Sequence, residues 1–151
     1  MKVYEKISDL QPLVGEIIGT SEWITIEQGR INQFADATGD HQWIHVDPER
    51  AKDGPFGAPI AHGFLTLSLL PEFSNAAYRV KESRTGVNYG LDKVRFPAPV
   101  PVRSNLRAHF RLLSYEALEG GGAQTKVEMI VEREGGAKPV CIAESITRRY
   151  P

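Results

Sequence analysis

The stretch from about Ala61 to Arg79, AHGFLTLSLLPEFSNAAYR, constrains this chain more than any other. It has helical spacing, and in its first half it is apolar nearly all round, so no face of it is suited to water. A helix of that kind belongs inside a fold and needs a broad apolar surface to wrap it. Pro71 removes one backbone hydrogen bond and bends the helix, unless a second helix begins there.

The second half of the chain supplies the surface. Leu106, Ala108, Phe110 and Leu112 alternate with Arg107, His109 and Arg111; Val127, Met129 and Val131 alternate with Lys126, Glu128 and Glu132; Val140 to Arg148 follows as a third run. One face of each strand is wet and the other buried. With further strand candidates at Glu16 to Ile26 and Val87 to Phe96, the pattern predicts an antiparallel sheet of about five strands. The expected class is α+β, a single sheet wrapped around one long central helix. At 151 residues the chain suits one domain, 1–151, large enough to bury about two-thirds of the surface its unfolded form exposes. PAPVPV (Pro97 to Val102) and GGG (Gly120 to Gly122) are short enough to be loops within it.

Composition narrows the partners. A net charge of -1, with acidic and basic residues mixed along the chain, leaves no electrostatic footprint for a nucleic acid or an anionic membrane. The N-terminal MKVYEKISDLQPLVGEIIG reads neither as a signal peptide nor as an anchor. Ile60 to Leu70, the longest apolar region, is too short to span a bilayer. The single cysteine, Cys141, excludes an internal disulfide and sits in the apolar run PVCIA, where it reads as core. The expectation is a soluble cytoplasmic protein with no cofactor.

Chemistry concentrates between two helix ends. Thr25 and Gln28 have capping-box spacing ahead of a helix that buries Ile31, Phe34 and Ala35. Gly39 stands at the left-handed C-terminal cap, and Asp47-Pro48 opens a short helix through about Lys52. Residues 40 to 47 are therefore expected to be a loop. His41 and His45 have the spacing of a zinc-binding HExxH motif, with Asp40 or Asp47 as a third ligand. Gln42 in place of the glutamate cannot act as a base, and the flanking caps place the pair outside a helix, so no metal is expected. The serines form no GxSxG elbow. Asp40 and His45 remain. Five residues of helix would turn them about 140° apart, since each residue adds ~100°, so they converge only if the segment is not one continuous helix. Converging, they can hold one water and exchange protons with it, histidine titrating near about 6.5. On pattern alone, a second account stands level with this one: Asp40 caps a turn and His45 is a satisfied buried histidine.

The run FADATGDHQWIH, followed by GPFGAPIAHGFLTLSLL and NYGLDKVRFPAPV, resembles the MaoC-like dehydratases and (R)-specific enoyl-CoA hydratases, by motif from roughly Trp23 to Val102. The resemblance implies a hot dog fold and a homodimer with active sites at or near the subunit interface. It implies reversible addition of water to a trans-2-enoyl thioester, carried on coenzyme A or acyl carrier protein, to give the (R)-3-hydroxyacyl thioester. Its catalytic aspartate falls on Asp40 and its histidine on His45. The backbone N–H of Gly63 falls at the thioester oxygen, where a helix N-terminus offers unpaired donors and a favourable dipole. The asparagine and proline usual in the pattern are here Gln42 and Trp43, a departure that bears on loop shape and acyl preference. His62 and Ser68 are candidates for substrate contact, each with a structural hydrogen bond as the alternative. Lys93 and Arg95 are candidates for the phosphates of coenzyme A, with a solvated strand face as the alternative. Two other functions fit the same cleft, a hot dog thioesterase and a non-catalytic acyl-binding domain.

Overall fold

The computed structural model describes Met1–Pro151. In chain order the elements are β1 (Lys2–Tyr4), a 3₁₀ stretch (Ile7–Leu13), β2 (Ile17–Thr20), β3 (Ile24–Thr25), α1 (Gln28–Thr38), α2 (Trp43–Val46), α3 (Pro48–Lys52), α4 (Gly63–Ser68), α5 (Leu70–Ala77), β4 (Tyr78–Val80), β5 (Thr85–Arg95), β6 (Asn105–Ala117), a 3₁₀ turn (Glu119–Gly121), β7 (Ala123–Arg133) and β8 (Cys141–Tyr150).

The period-two alternation becomes an antiparallel sheet in the order β2-β6-β7-β8-β5, with β3 also paired to β6. Leu106, Ala108, Phe110 and Leu112 of β6 and Val127, Met129 and Val131 of β7 are buried, as are Cys141 and Ala143 of β8. These residues form one core with Leu65 and Leu69 of the α4 region and Phe73 and Ala77 of α5. The chain thus has the α+β hot dog arrangement, a sheet wrapped around central helix. Cys141 is part of that core, and burial pushes its thiol up to about 11.

Several expected boundaries shift, each for a local reason. The central helix is two helices in tandem: α4 ends at Leu69, and Pro71 lies in the first turn of α5, where its missing N–H has no carbonyl to bond. Helix ends at Ala77 rather than Arg79, because Tyr78–Val80 turns extended and pairs in parallel with Lys2–Tyr4. Glu16 to Ile26 is two short strands on β6. Ser21 bridges the break between them, exchanging bonds with Ala108 through its N–H and its hydroxyl oxygen. Thr25 does not cap α1; it lies in β3 and its hydroxyl donates to Asn105 Oδ1 at 2.6 Å. Glu27 holds the N-cap position without a side-chain bond. No helix is long and apolar enough to cross a membrane.

Candidate active site

α1 delivers the chain to the site. Gly39 closes it at φ 80°, and its N–H donates to Ala35 O, a left-handed cap that favours glycine. Asp40 follows outside the helix, its Oδ1 accepting the Gln42 N–H at 3.3 Å. The next residues are not all loop, because Trp43–Val46 forms one helical turn, α2, with the His45 N–H donating to Gln42 O at 3.0 Å. Asp40 lies before that turn, so the angular separation of a continuous helix does not apply. Asp47 then caps α3, accepting the Arg50 N–H at 3.1 Å with Pro48 in the first turn.

His45 is only 6% exposed. Its Nδ1–H donates to Ile60 O at 2.6 Å. A carbonyl accepts and never donates, so the neutral ring carries its proton on Nδ1 and leaves Nε2 bare. Burial pushes the pKa of His45 below its ordinary 6.5; the bond to Ile60 opposes this, His62 adds to it, and the Asp40 charge opposes it. From the opposite side, Gln28 Nε2 donates to His45 O at 2.8 Å and so fastens α1 to α2. Gln28 was legible in the sequence only as a capping residue. Its role at His45 depends on contact across 17 residues.

His62, just before α4, is 2% exposed. Its Nε2–H donates to Asp40 O at 3.0 Å, and the same nitrogen lies 4.0 Å from Asp40 Oδ2. The ring stacks on His45 with centroids 3.9 Å apart at 25°, and Phe34 lies 4.9 Å away on a tilt. Its Nδ1 is buried without a partner. Enclosed this way, His62 braces the Asp40 loop and the His45 ring. Gly63 follows as the first residue of α4, so its N–H has no helical carbonyl upstream. A Cβ there would meet the Phe96 ring at 2.9 Å, so any larger residue has to push that ring aside.

One side-chain atom from each of Asp40, His45 and His62 lies within 4.8 Å of the others. A divalent ion sits in the plane of each imidazole that binds it. The His62 nitrogen that faces Asp40 is the Nε2 whose proton goes to Asp40 O, so it has no lone pair to offer an ion. The arrangement suits a water and a mobile proton better than an ion. His41 takes no part, because its Nε2 pairs with Asp36 Oδ1 at 2.8 Å.

The remaining candidates lie around this centre. Gln42 is exposed and contributes main-chain bonds to the turn. Trp43 is half-buried, lying against Gly54 and beneath the Arg50 guanidinium at 4.3 Å, so it stiffens the link between α2 and α3. Ser68 is exposed on α4, and its hydroxyl donates to Phe64 O in its own helix at 2.7 Å. Lys93 and Arg95 are exposed on β5, just before Phe96.

Known proteins share this frame and its sequence. The family model described as MaoC like domain matches residues 9–133. The chain is 57% identical over 148 residues to 3-hydroxyacyl-thioester dehydratase Z of Mycobacterium tuberculosis, covering 98% of each chain. R-hydratase PhaJ1 from Pseudomonas aeruginosa superposes with a TM-score of 0.69 at 22% identity, covering 89% of this chain and 82% of that one. The (R)-hydratase from A. caviae superposes with a TM-score of 0.73 at 19% identity, covering 90% and 97%. The two structures establish the fold, while the family match and the 57% relative establish kinship. The chain belongs to the MaoC-like dehydratase family and is a hydro-lyase.

Proposed function

We propose that the protein adds water reversibly to a trans-2-enoyl thioester, giving the (R)-3-hydroxyacyl thioester. The observation that carries this reading is the approach of an Asp40 oxygen and a His45 nitrogen within 4.8 Å, beside the start of α4. One water hydrogen-bonded to both at about 2.8 Å spans a gap of that size. With Nδ1 held by Ile60 and the pKa lowered by burial, His45 offers Nε2 as the base near neutral pH. Asp40 orients the water. As its oxygen bonds to C3, its proton passes to His45 and the π electrons move toward the thioester oxygen. Gly63 N–H receives that charge, a contribution of ~10² in rate. The proton then returns to C2 from His45, restoring the carbonyl. His62 acts as a positioning residue, holding Asp40 O and the face of His45.

The substrate class follows the name of the 57% relative, a 3-hydroxyacyl-thioester dehydratase, and the configuration follows the R-hydratases that share the fold. Lys93 and Arg95 stand near Phe96, the residue that packs on Gly63, which suits them to the phosphates of the carrier, coenzyme A or acyl carrier protein. The protein acts as a homodimer through β5, where Val87, Tyr89 and Leu91 are 47%, 58% and 44% exposed on an edge strand. Such an edge invites pairing.

Loss of enoyl absorbance from crotonyl-CoA tests the reading, with a thiol trap in the same cuvette. Asp40→Asn and His45→Gln should each cost roughly 10² to 10⁴ in kcat/KM, and the double variant little more than the worse single one. Near-normal turnover in both single variants, or release of free thiol in place of hydration, would sink it.

A further inference from the structure

A groove begins about one turn of α4 beyond Gly63 and runs along the central helices to an arginine that has no counter-ion. Its near section, about 430 Å³, begins at Leu67 and Ser68, about one turn into α4 from Gly63, and lies against Tyr89 to Leu91 of β5. The far section, about 660 Å³, shares Leu70, Pro71, Asn88 and Ser145 with it and continues along α5 to Tyr78, Arg79 and Arg149. From Gly63 to Tyr78 along the two helices is roughly 20 Å, at 1.5 Å per residue. Phe110, Val127 and Met129 give the far section an apolar floor.

The far end is electrostatically one-sided. Neither section is lined by an aspartate or glutamate, while Arg79 and Arg149 both face the far one. Arg149 is half-buried; its Nη2 donates to the Tyr78 hydroxyl at 3.0 Å, and its Nε is buried with no hydrogen-bond partner. No carboxylate forms an ion pair with it. The Tyr78 hydroxyl leaves the guanidinium charge without a counter-ion, and its fork geometry matches a carboxylate. Fatty chains alone would be served as well by an apolar end wall.

We propose that the groove takes an acyl chain whose distal end carries a carboxylate, and that Arg149, with Arg79 beside it, binds that group. The substrate is then the thioester of a long dicarboxylic acid, its enoyl end at Asp40, His45 and Gly63 and its free carboxylate at Arg149. This rests on the hydratase reading above and adds a specificity to it.

The test compares trans-2-enoyl-CoA esters of graded length in pairs that differ only in a terminal methyl or a terminal carboxylate. A charge-assisted pair at a half-buried site is worth tenfold or more in binding, about 1.4 kcal/mol per decade. At one long chain length, the carboxylate-ended ester should therefore exceed its methyl-ended twin by at least about tenfold in kcat/KM, mainly through KM. Arg149→Gln should bring the ratio to near one, and Arg149→Lys, which keeps the charge, should retain part of it. The ratio is internal to each variant, so a loss of fold lowers both esters and leaves it readable. Wild-type turnover across the series separates the two failures. If no ester of either kind is hydrated at any length, the hydratase reading falls. If esters are hydrated and wild type shows no preference for a terminal carboxylate at any length, the anion site falls. It also falls if Arg149→Gln weakens only self-association and leaves the ratio intact, an outcome that would assign Arg149 to the subunit contact.

Discussion

β5 and β7 are each 11 residues long and stand in one sheet with only β8 between them. β7 buries every second residue, from Ala123 through Val131; β5 buries none. Composition does not explain this, since β5 carries Val87, Tyr89, Leu91 and Val94. Position does. β7 has a strand on both sides and its inner face in the core, whereas β5 bonds to β8 alone at the sheet edge. The same pleat serves as core when covered and as a binding edge when left free.

The largest expected effect tests that contrast directly. Met129→Ala on β7 removes a side chain that is 0% exposed and should lower unfolding free energy by about 2 to 5 kcal/mol. Leu91→Ala on β5 should change the stability of the single chain by no more than about 0.5 kcal/mol. Urea titrations at a protein concentration low enough to keep the chain monomeric would measure both. Comparable losses would show that β5 is core after all.

The two strands also differ in how well the sequence announced them. β6 and β7 were legible because apolar and charged residues alternate over seven positions in each, Leu106 to Leu112 and Lys126 to Glu132, with only Ile130 out of step. Gly39 and Asp47-Pro48 were legible because cap chemistry is local, and those two ends brought Asp40 and His45 into view. Elements whose partners lie far along the chain stayed hidden. Tyr78–Val80 follows Ala76 and Ala77 and reads as helix, and only Lys2–Tyr4, 76 residues earlier by the Lys2 to Tyr78 register, makes it a strand. Thr25 has the spacing of a cap but is claimed by Asn105 across the sheet. The brace that His62 gives to Asp40 spans 22 residues. No local spacing encodes it. The groove and its unpaired Arg149 were beyond reach for the same reason, being made by α5, β5 and β8 together.

A second test sharpens the comparison at the edge itself. Val87→Lys combined with Tyr89→Lys puts charge where β5 exposes apolar area, and the proposed dimer would carry the change twice. Two apolar side chains at about 1.5 to 3 kcal/mol each imply a dissociation constant raised at least about a hundredfold. Sedimentation equilibrium should find the wild type dimeric and the variant monomeric, with far-UV circular dichroism unchanged. A monomeric wild type would remove the dimer from the reading and leave the exposure of β5 to the groove alone.

The smallest effect concerns what burial does to a base rather than to an apolar strand. Burial lowers the pKa of His45 below 6.5 in the folded chain, so the unfolded chain binds a proton there first as pH falls. Above 6.5 neither state is protonated at His45 and its contribution to stability is constant. Below it, down to the folded value, the unfolded state holds the extra proton and stability declines, by at most about 1.4 kcal/mol per pH unit for this one group. His45→Gln should therefore flatten the stability curve just below pH 6.5, relative to wild type. Because a protonated Nε2 cannot accept from water, kcat/KM should fall with acid along a limb centred below 6.5. An identical stability slope in the variant, or an acid limb centred above 6.5, would mean that His45 is not held as the neutral base its bond to Ile60 implies.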